Sequence, residues 1–266
     1  MKYDLILDRI VSDKKEELKD VKAALPFAEL KARVRDKKST RDFAAALIKP
    51  NGVSIIAEVK KASPSKGIIR ADFDPVAIAT AYEKNGARAI SVLTERRYFM
   101  GELAFLRDIR ERVDIPLLRK DFIFEEYQVY EARANGADAF LLIATMLDKN
   151  LMSDLYMLGR DLGLDTLAEV HDEADLDKVL EIGFDVIGIN NRNLKTFVVD
   201  IKTTGRLIED IPYDRTVVGE SGISTADDML YLKSVGADAA LIGESIMRER
   251  DFAAKLRELA GSDMES

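Results

Sequence analysis

The sequence lacks cysteine altogether and contains a single histidine, His171, among 266 residues. Without cysteine the chain has neither disulfide bonds nor thiol nucleophiles, and one histidine leaves little room for a zinc site or a serine triad. Acid–base chemistry must therefore come from Lys, Glu, Asp or Tyr side chains.

Long apolar runs are missing as well. No stretch approaches the roughly 18 consecutive apolar residues that suggest a membrane-spanning helix, and the start of the chain carries Asp4 and Asp8. The sequence therefore predicts neither a signal peptide nor a membrane partner, and the expected location is cytoplasmic.

A basic excess is the third absence, since 40 Lys and Arg residues stand against 48 Asp and Glu, for a net charge of −8. Surfaces that bind nucleic acid normally carry a basic excess or stripe, so no nucleic-acid partner is expected. A phosphorylated small molecule remains compatible with this charge, because local loops can bind it.

The composition that remains, 47% hydrophobic and 33% charged, suits one large domain. We predict a single domain over residues 1–266, with a helical N-terminal extension over 1–49 and a barrel over 50–260. Within residues 5–34 apolar side chains recur at helical spacing among charged ones. Pro26 interrupts this pattern and predicts two helices rather than one.

Eight short apolar or β-branched runs follow, each leading into a helical stretch. The predicted strands are Val53–Val59, Ala89–Leu93, Pro116–Leu118, Ala139–Ile143, Thr166–Val170, Val186–Ile189, Thr216–Val218 and Ala239–Ile242. Four of them are preceded by a glycine that is typical of a helix end, namely Gly86, Gly136, Gly183 and Gly236. Eight such units favour an α/β fold of the (β/α)8 TIM-barrel class over an open doubly wound sheet.

Several predicted strands end in charged residues. Glu58 and Lys60 are two positions apart at the end of the first strand and share a face. Lys120 follows the third strand and Glu169 ends the fifth. One charge at a strand end is often merely solvated, but four at the active-site face of a barrel indicate catalysis.

The seventh and eighth strands lead into glycine turns, Gly219–Ile223 and Gly243–Ser245. Glycine lets backbone amides approach a ligand, and barrels frequently bind phosphate at this position. We therefore expect a phosphate site beside these two turns.

Five motifs, taken in order, resemble those of indole-3-glycerol-phosphate synthases. The motifs are Glu58–Gly67, Leu118–Phe122, Glu169–His171, Gly188–Leu194 and Glu220–Ile223. The resemblance runs from about Ile6 to Leu259 and includes the helical extension.

The resemblance implies a carboxy-lyase of tryptophan biosynthesis. Such an enzyme closes, decarboxylates and dehydrates 1-(2-carboxyphenylamino)-1-deoxyribulose 5-phosphate to give indole-3-glycerol phosphate. The resemblance further implies no cofactor and no metal, a phosphorylated small molecule as partner, and a monomer or weak oligomer.

Individual roles follow from the same resemblance. Lys120 matches the general acid of ring closure, and Glu58, Lys60 and Glu169 match further catalytic residues among which acid and base roles stay open. The implied substrate-binding residues are Asn190, Arg192, Glu220, Ser221 and Phe122, with Arg192 near the anthranilate carboxylate. The implied phosphate-binding residues are Ser63, Gly222, Gly243 and Glu244.

Three residues depart from the family pattern. Glu244 stands where some relatives have serine, so it is expected to contact phosphate only through its backbone amide. Gly219 and Glu102 also stand where relatives often have a small residue or serine. We expect these two departures to affect substrate affinity rather than the chemistry.

Other interpretations stay open. A neutral Lys120 would form a Schiff base with a ketone, as in aldolases, and a non-catalytic barrel would merely bind a sugar phosphate. His171 is expected to orient a loop or cap the next helix, and Phe99 to cover an aromatic substrate or anchor a surface loop. Ser63–Gly67 is expected to be a mobile loop that orders on ligand binding.

Overall fold

The structure is a computed structural model that describes residues 4–35, 37–50, 52–193 and 196–261. Its strands are β1 (Ser54–Val59), β2 (Ala62–Ser63), β3 (Gly67–Ile68), β4 (Ala89–Leu93), β5 (Leu117–Lys120), β6 (Ala139–Ile143), β7 (Asp165–Val170), β8 (Val186–Asn190), β9 (Thr216–Glu220) and β10 (Ala239–Ile242). Strands β2 and β3 form a small antiparallel hairpin. The others are parallel and close into a barrel in the order β1-β10-β9-β8-β7-β6-β5-β4, which confirms the predicted fold class.

Every predicted barrel strand is present, but three of them end later than predicted. Strand β5 extends to Lys120, β8 to Asn190 and β9 to Glu220, because backbone pairing continues there: Leu93 lies opposite Lys120, and Asn190 opposite Glu220. These strands end in polar residues, so their apolar runs are shorter than the strands themselves.

The helices are α1 (Asp4–Ala24), α2 (Phe27–Arg35), α3 (Phe43–Leu47), α4 (Pro75–Lys84), α5 (Leu103–Arg110), α6 (Glu126–Ala134), α7 (Lys149–Asp161), α8 (Glu173–Ile182), α9 (Lys202–Leu207), α10 (Ala226–Val235), α11 (Glu244–Met247) and α12 (Phe252–Ala260). Short 3₁₀ turns occur at Ala144–Met146 and Ile208–Asp210. The four glycines predicted to end helices all have positive φ, between 88° and 102°, as that prediction requires.

Side chains alternate along each barrel strand between the outer helices and the interior. On β1, Ile55 and Ala57 belong to the hydrophobic cluster beneath the helices, whereas Ile56 belongs to the cluster inside the barrel. Glu58 shares the inward face with Ile56 and lines the cavity at the mouth. The same alternation turns the polar ends of β5, β7 and β9 inward.

The N-terminal segment forms two helices that separate at Pro26, as predicted, and a third, short helix that was not predicted. Helix α3 closes the lower end of the barrel with Phe43 and Leu47, both fully buried against the interior cluster. Asp165 at the start of β7 accepts hydrogen bonds from Phe43 N and Ala44 N at 2.9 and 3.1 Å. Helix α3 has only five residues, too few for a helical repeat of apolar side chains to show in the sequence.

Helix α1 is anchored at the opposite end, beside the mouth. Lys14 is buried, and its Nζ lies 3.1 Å from Oδ1 of Asp121. Asp121 directly follows Lys120 in the chain. Leu7 and Ile10 of the same helix line the cavity. None of the helices in the described ranges is long and apolar enough to cross a membrane.

Candidate active site

A cavity of about 640 Å³ opens at the carboxyl ends of the barrel strands, a volume typical of small-molecule sites. All thirteen residues predicted for catalysis, substrate binding and phosphate binding line it. They are Glu58, Lys60, Ser63, Lys120, Phe122, Glu169, Asn190, Arg192, Glu220, Ser221, Gly222, Gly243 and Glu244. The fold therefore brings the whole predicted set together.

The charged side chains are arranged as two groups of ammonium and carboxylate. Lys60 Nζ donates a short hydrogen bond to Glu58 Oε2. Lys120 Nζ donates to Glu169 Oε2 at 3.0 Å and to Glu220 Oε2 at 2.9 Å. Glu58, Lys120, Glu169 and Glu220 stand on alternate strands of the barrel, so they form one layer of four side chains.

Two glycines, one on β8 and one directly after β10, make room for this layer. A Cβ atom added at Gly188 of β8 would lie 2.2 Å from Glu220 Oε1, and one at Gly243 after β10 would lie 2.1 Å from Glu58 Oε2. Neither separation is possible for real atoms. The carboxylates therefore occupy space that any other residue at these two positions would fill.

Lys120 is held as an ammonium ion. Burial disfavours its charge, but the nearby carboxylates of Glu169, Glu220 and Glu58 outweigh burial and raise the pKa of Lys120 above its ordinary range. At neutral pH the charged form of Lys120 can donate a proton, and it is not an amine nucleophile.

The two carboxylates that contact Lys120 differ from each other. Burial raises the pKa of Glu169, but the charges of Lys120 and His171 outweigh it and hold that pKa well below its usual range. Burial, only partly offset by Lys120 and reinforced by the charge of Glu169, raises the pKa of Glu220 to about 7. One carboxylate is thus fully ionised and the other is poised to hold a proton.

Asn190 and Arg192 lie beside this pair. Asn190 Nδ2 donates to Glu169 Oε1 at 3.1 Å, and Asn190 Oδ1 accepts from Arg192 N at 3.0 Å. Arg192 forms an antiparallel bridge with Val199, farther along the chain after β8. Leu194, the last residue of the fourth motif, lies outside the described residues.

The glycine turns form the other side of the cavity. Ser221 and Gly222 after β9 both have left-handed backbones, with φ of 66° and 78°, and such a conformation in a serine is a strained feature found at ligand sites. Ser63 Oγ is buried and has no hydrogen-bond partner within the described chain. Ser224 and Ser245 also line this end. Ser245 belongs to the second predicted glycine turn, but neither serine was predicted as a binding residue.

An apolar wall completes the cavity. Phe99 and Phe122 face each other with ring centroids 6.1 Å apart, and Leu7 and Ile10 of α1 lie on the same cavity. The contribution of α1 was also missed, because its apolar stripe looks like ordinary helix packing. An aromatic ring fits a wall of this composition.

The three departures from the family pattern sit as follows. Gly219 faces outward, where an added Cβ would meet Leu232 at 2.9 Å, and Glu102 precedes α5 with an exposed side chain. Neither lines the cavity. Glu244 does line it, and its carboxylate pairs with Arg248 Nη2 at 3.1 Å.

His171 does not cap the following helix. Asp172 is the cap of α8, with its side chain accepting from Asp175 N at 3.0 Å. The His171 side chain points instead between Asp175 and Glu169, whose Oε1 lies 3.2 Å from Nε2. The prediction that His171 caps this helix was wrong, because the carboxylate of the neighbouring Asp172 is the better acceptor for backbone amides.

Comparison with solved structures supports the barrel. A thiamine phosphate pyrophosphorylase from Pyrococcus furiosus superposes with a TM-score of 0.62 at 16% identity, covering 85% of this chain and all of that one. A 3-hexulose-6-phosphate synthase from Salmonella typhimurium superposes with a TM-score of 0.65 at 12% identity, covering 80% and 99%. At these identities the similarity is one of fold alone.

Comparison of sequences is more specific. An indole-3-glycerol phosphate synthase from Alkaliphilus metalliredigens is 49% identical over 255 residues, which cover 96% of this chain and 98% of the relative. One from Thermoanaerobacter pseudethanolicus is 50% identical over 244 residues, covering 92% and 93%. The family model for indole-3-glycerol phosphate synthase matches residues 7–259. This chain therefore belongs to the indole-3-glycerol phosphate synthase family.

Proposed function

We propose that this protein converts 1-(2-carboxyphenylamino)-1-deoxyribulose 5-phosphate to indole-3-glycerol phosphate, with the catalytic and binding residues described above. The observation that carries the proposal is the single layer of Glu58, Lys120, Glu169 and Glu220 between an apolar wall and a pair of glycine turns. The aromatic ring of the substrate would lie against the apolar wall, and its phosphate beside the turns.

We propose that Ser63, Gly222, Gly243 and the start of α11 at Glu244 bind the phosphate. The unpartnered Ser63 hydroxyl supplies a donor, and the glycine backbones permit close approach. We propose that Arg192, also on the cavity, pairs with the anthranilate carboxylate before it is lost.

Ring closure needs an acid. The ring carbon that carries the carboxylate attacks the ketone, negative charge develops on the ketone oxygen, and a positioned ammonium such as Lys120 stabilises and protonates it. Donors of this kind contribute about 2–4 kcal/mol to transition-state stabilisation. Loss of carbon dioxide then restores aromaticity.

Dehydration needs an acid for the departing hydroxyl and a base for one proton. Lys60 and Glu58 are hydrogen-bonded to each other and lie on the same cavity as Lys120, so we propose that this second pair carries out the step. The Lys120→Ala variant should then fail before decarboxylation, whereas Lys60→Ala should release carbon dioxide without forming indole.

The direct test is to incubate the purified protein with this substrate and to record indole fluorescence together with carbon dioxide. Product formation that disappears in Lys120→Ala, while the variant still binds a substrate analogue, supports catalysis. Binding without turnover by the wild-type protein would leave the sugar-phosphate-binding alternative instead.

The Schiff-base alternative is disfavoured by the charge state of Lys120, because an ammonium ion is not nucleophilic. Borohydride added during turnover separates the two chemistries. We expect no mass increase on Lys120, and a stable adduct on that residue would contradict the acid role.

We further propose that the extension over residues 1–49 and the barrel over 50–260 form one domain. The contribution of Leu7 and Ile10 to the cavity and the buried contact of Lys14 with Asp121 support this. We also propose a monomer or weak oligomer in the cytoplasm with no nucleic-acid partner. The net charge of −8 disfavours a nucleic-acid partner, and a phosphorylated substrate crosses membranes poorly, which favours the cytoplasm.

A further inference from the structure

His171 lies at the carboxyl end of β7, between the cavity and helix α8. Its Nε2 faces Glu169 Oε1 at 3.2 Å, an ion-pair contact with imperfect hydrogen-bond alignment. Its Nδ1 lies 3.2 Å from Thr145 Oγ1 and 3.6 Å from Asp175 Oδ2. Only 7% of the side chain is exposed, so the imidazole separates two carboxylates away from bulk water.

Asp175 is itself fixed in place. Thr145 Oγ1 donates a short hydrogen bond to Asp175 Oδ2, and His171 N donates to the same oxygen at 3.3 Å. Lys178 of the same helix lies 4.0 Å from Asp175 Oδ1, but it donates hydrogen bonds to two backbone carbonyls. The charges that face the imidazole are thus Glu169 from β7, Asp175 and Lys178 from α8, and, beyond Glu169, Lys120 from β5.

A carboxylate only accepts hydrogen bonds, so an imidazole with a carboxylate at each nitrogen is best satisfied when both nitrogens carry protons. Burial opposes the charge, but the nearby carboxylates of Asp175 and Glu169 outweigh burial and raise the pKa of His171 to about 9. The side chain is therefore an imidazolium at neutral pH.

The imidazolium breaks the symmetry between the two carboxylates that contact Lys120. Glu169 faces His171 and accepts from Asn190 as well as from Lys120. Glu220 Oε1, in contrast, has no hydrogen-bond partner among the residues that the structure describes. A second cation beside Glu169 favours its ionised form and leaves Glu220 as the carboxyl group that binds a proton more readily.

We propose that His171 is a positioning residue which, as an imidazolium held by Asp175, makes Glu169 rather than Glu220 the ionised partner of Lys120. The inference rests on the proposed function. After Lys120 gives its proton to the substrate oxygen, protonated Glu220 returns one: an O–H bond of Glu220 breaks, an N–H bond of Lys120 forms, and the carboxylate remains. His171 acts through Glu169 and has no contact with the reacting atoms.

The first test uses the fact that His171 is the only histidine in the chain. Its ring therefore gives a single set of histidine NMR signals that needs no assignment. We expect a titration midpoint near 9, well above the ordinary 6.5, and a fall of about one unit or more in Asp175→Asn. A wild-type midpoint near 6.5, or one that Asp175→Asn leaves unchanged, would overturn the proposal.

The second test is kinetic and uses His171→Gln, which keeps a donor for Glu169 but removes the charge. We expect the acidic limb of the profile of kcat against pH to move upward by about one pH unit, because Glu169 becomes easier to protonate. KM for the substrate should change less than about twofold. A lower kcat with an unshifted profile would assign His171 a merely structural role and overturn the inference.

A matched control is Asp74→Asn. Asp74 caps α4 by accepting from Val76 N and Ala77 N at 3.0 Å, and α4 packs on β1 and β4, across the barrel from β7. This variant should leave both the histidine signal and the pH profile unchanged. Failure of the proposed function is distinguishable, because a wild-type protein without product formation would still report the charge of His171 in the NMR titration.

Discussion

At the residue scale, the site depends as much on two missing side chains as on the charged ones. Gly188 and Gly243 were visible in the sequence, but nothing there showed that they make room for Glu220 and Glu58. That information comes from the pairing of strands distant in sequence. The acidic and basic residues themselves were predictable, because a charge at the end of a buried strand is costly unless it is paired or used in the chemistry.

We predict that Gly188→Ala lowers both stability and kcat. The new methyl group would lie 2.2 Å from Glu220 Oε1, so Glu220 must move away from Lys120, at a cost typical of overpacking, about 1–3 kcal/mol in the free energy of unfolding. Urea unfolding and steady-state kinetics measure the two effects.

The double variant Gly188→Ala with Glu220→Ala supplies the check, since truncating Glu220 removes the clash and the two stability losses should not add. Gly219→Ala is the matched control: its methyl group would meet Leu232 outside the barrel, so it should cost stability but not kcat. Additive losses in the double variant would contradict this account of Gly188.

Glu220 also predicts a dependence of stability on pH. Its pKa rises from 4.5 in the unfolded chain to about 7 in the native protein, so the unfolded chain releases this proton first as pH increases. The contribution of Glu220 to the free energy of unfolding is therefore complete below pH 4.5, and it is lost as pH rises to about 7.

Glu220→Gln removes that loss, so its melting temperature should gain on the wild type between pH 5 and pH 8, even as activity falls. Scanning calorimetry at both pH values measures the difference. Glu181→Gln, which alters an exposed pair with Lys149, should show no such trend. An equal shift at both pH values for Glu220→Gln would argue against a raised pKa.

At the scale of elements, the barrel strands were predictable because buried parallel strands are apolar runs with clear glycine boundaries. Helix α3 was not predictable, because it is stabilised by contacts of Phe43 and Leu47 with the barrel interior. The interior residues come from strands that are distant in sequence. The Ser63–Gly67 segment contains a turn between β2 and β3, and its mobility remains a prediction.

The loop after β4 is ordered by one buried carboxylate. Glu95 accepts from Arg97 N at 3.0 Å, Tyr98 N at 2.7 Å and Phe99 N at 3.0 Å, which holds Phe99 opposite Phe122. Glu95→Gln loses one acceptor oxygen and turns an amide donor towards backbone donors. We expect a rise in KM on the order of tenfold with a smaller change in kcat.

Steady-state kinetics of Glu95→Gln measures both constants. Glu111→Gln, an exposed change at the far end of α5, serves as control and should leave both constants unchanged. A loss confined to kcat would show that Glu95 supports chemistry rather than the apolar wall.

At the scale of the whole molecule, the side chains of Glu58, Lys120, Glu169 and Glu220 come from β1, β5, β7 and β9 and meet only when β10 pairs with β1. We therefore predict that, during refolding from urea, turnover recovers no earlier than the last phase of fluorescence or circular dichroism. Stopped-flow refolding into substrate measures the order. Product formation that precedes the final structural phase would show that an open sheet suffices.

The layer of four ionisable side chains also occupies a tier that barrels ordinarily fill with branched aliphatic residues. Beneath it, Ile56, Leu118, Leu167 and Val218 follow the ordinary pattern. The cavity thus occupies the volume in which an ordinary barrel has its uppermost layer of aliphatic side chains. Aliphatic residues at the four positions of the ionisable layer should make the protein more stable and inactive.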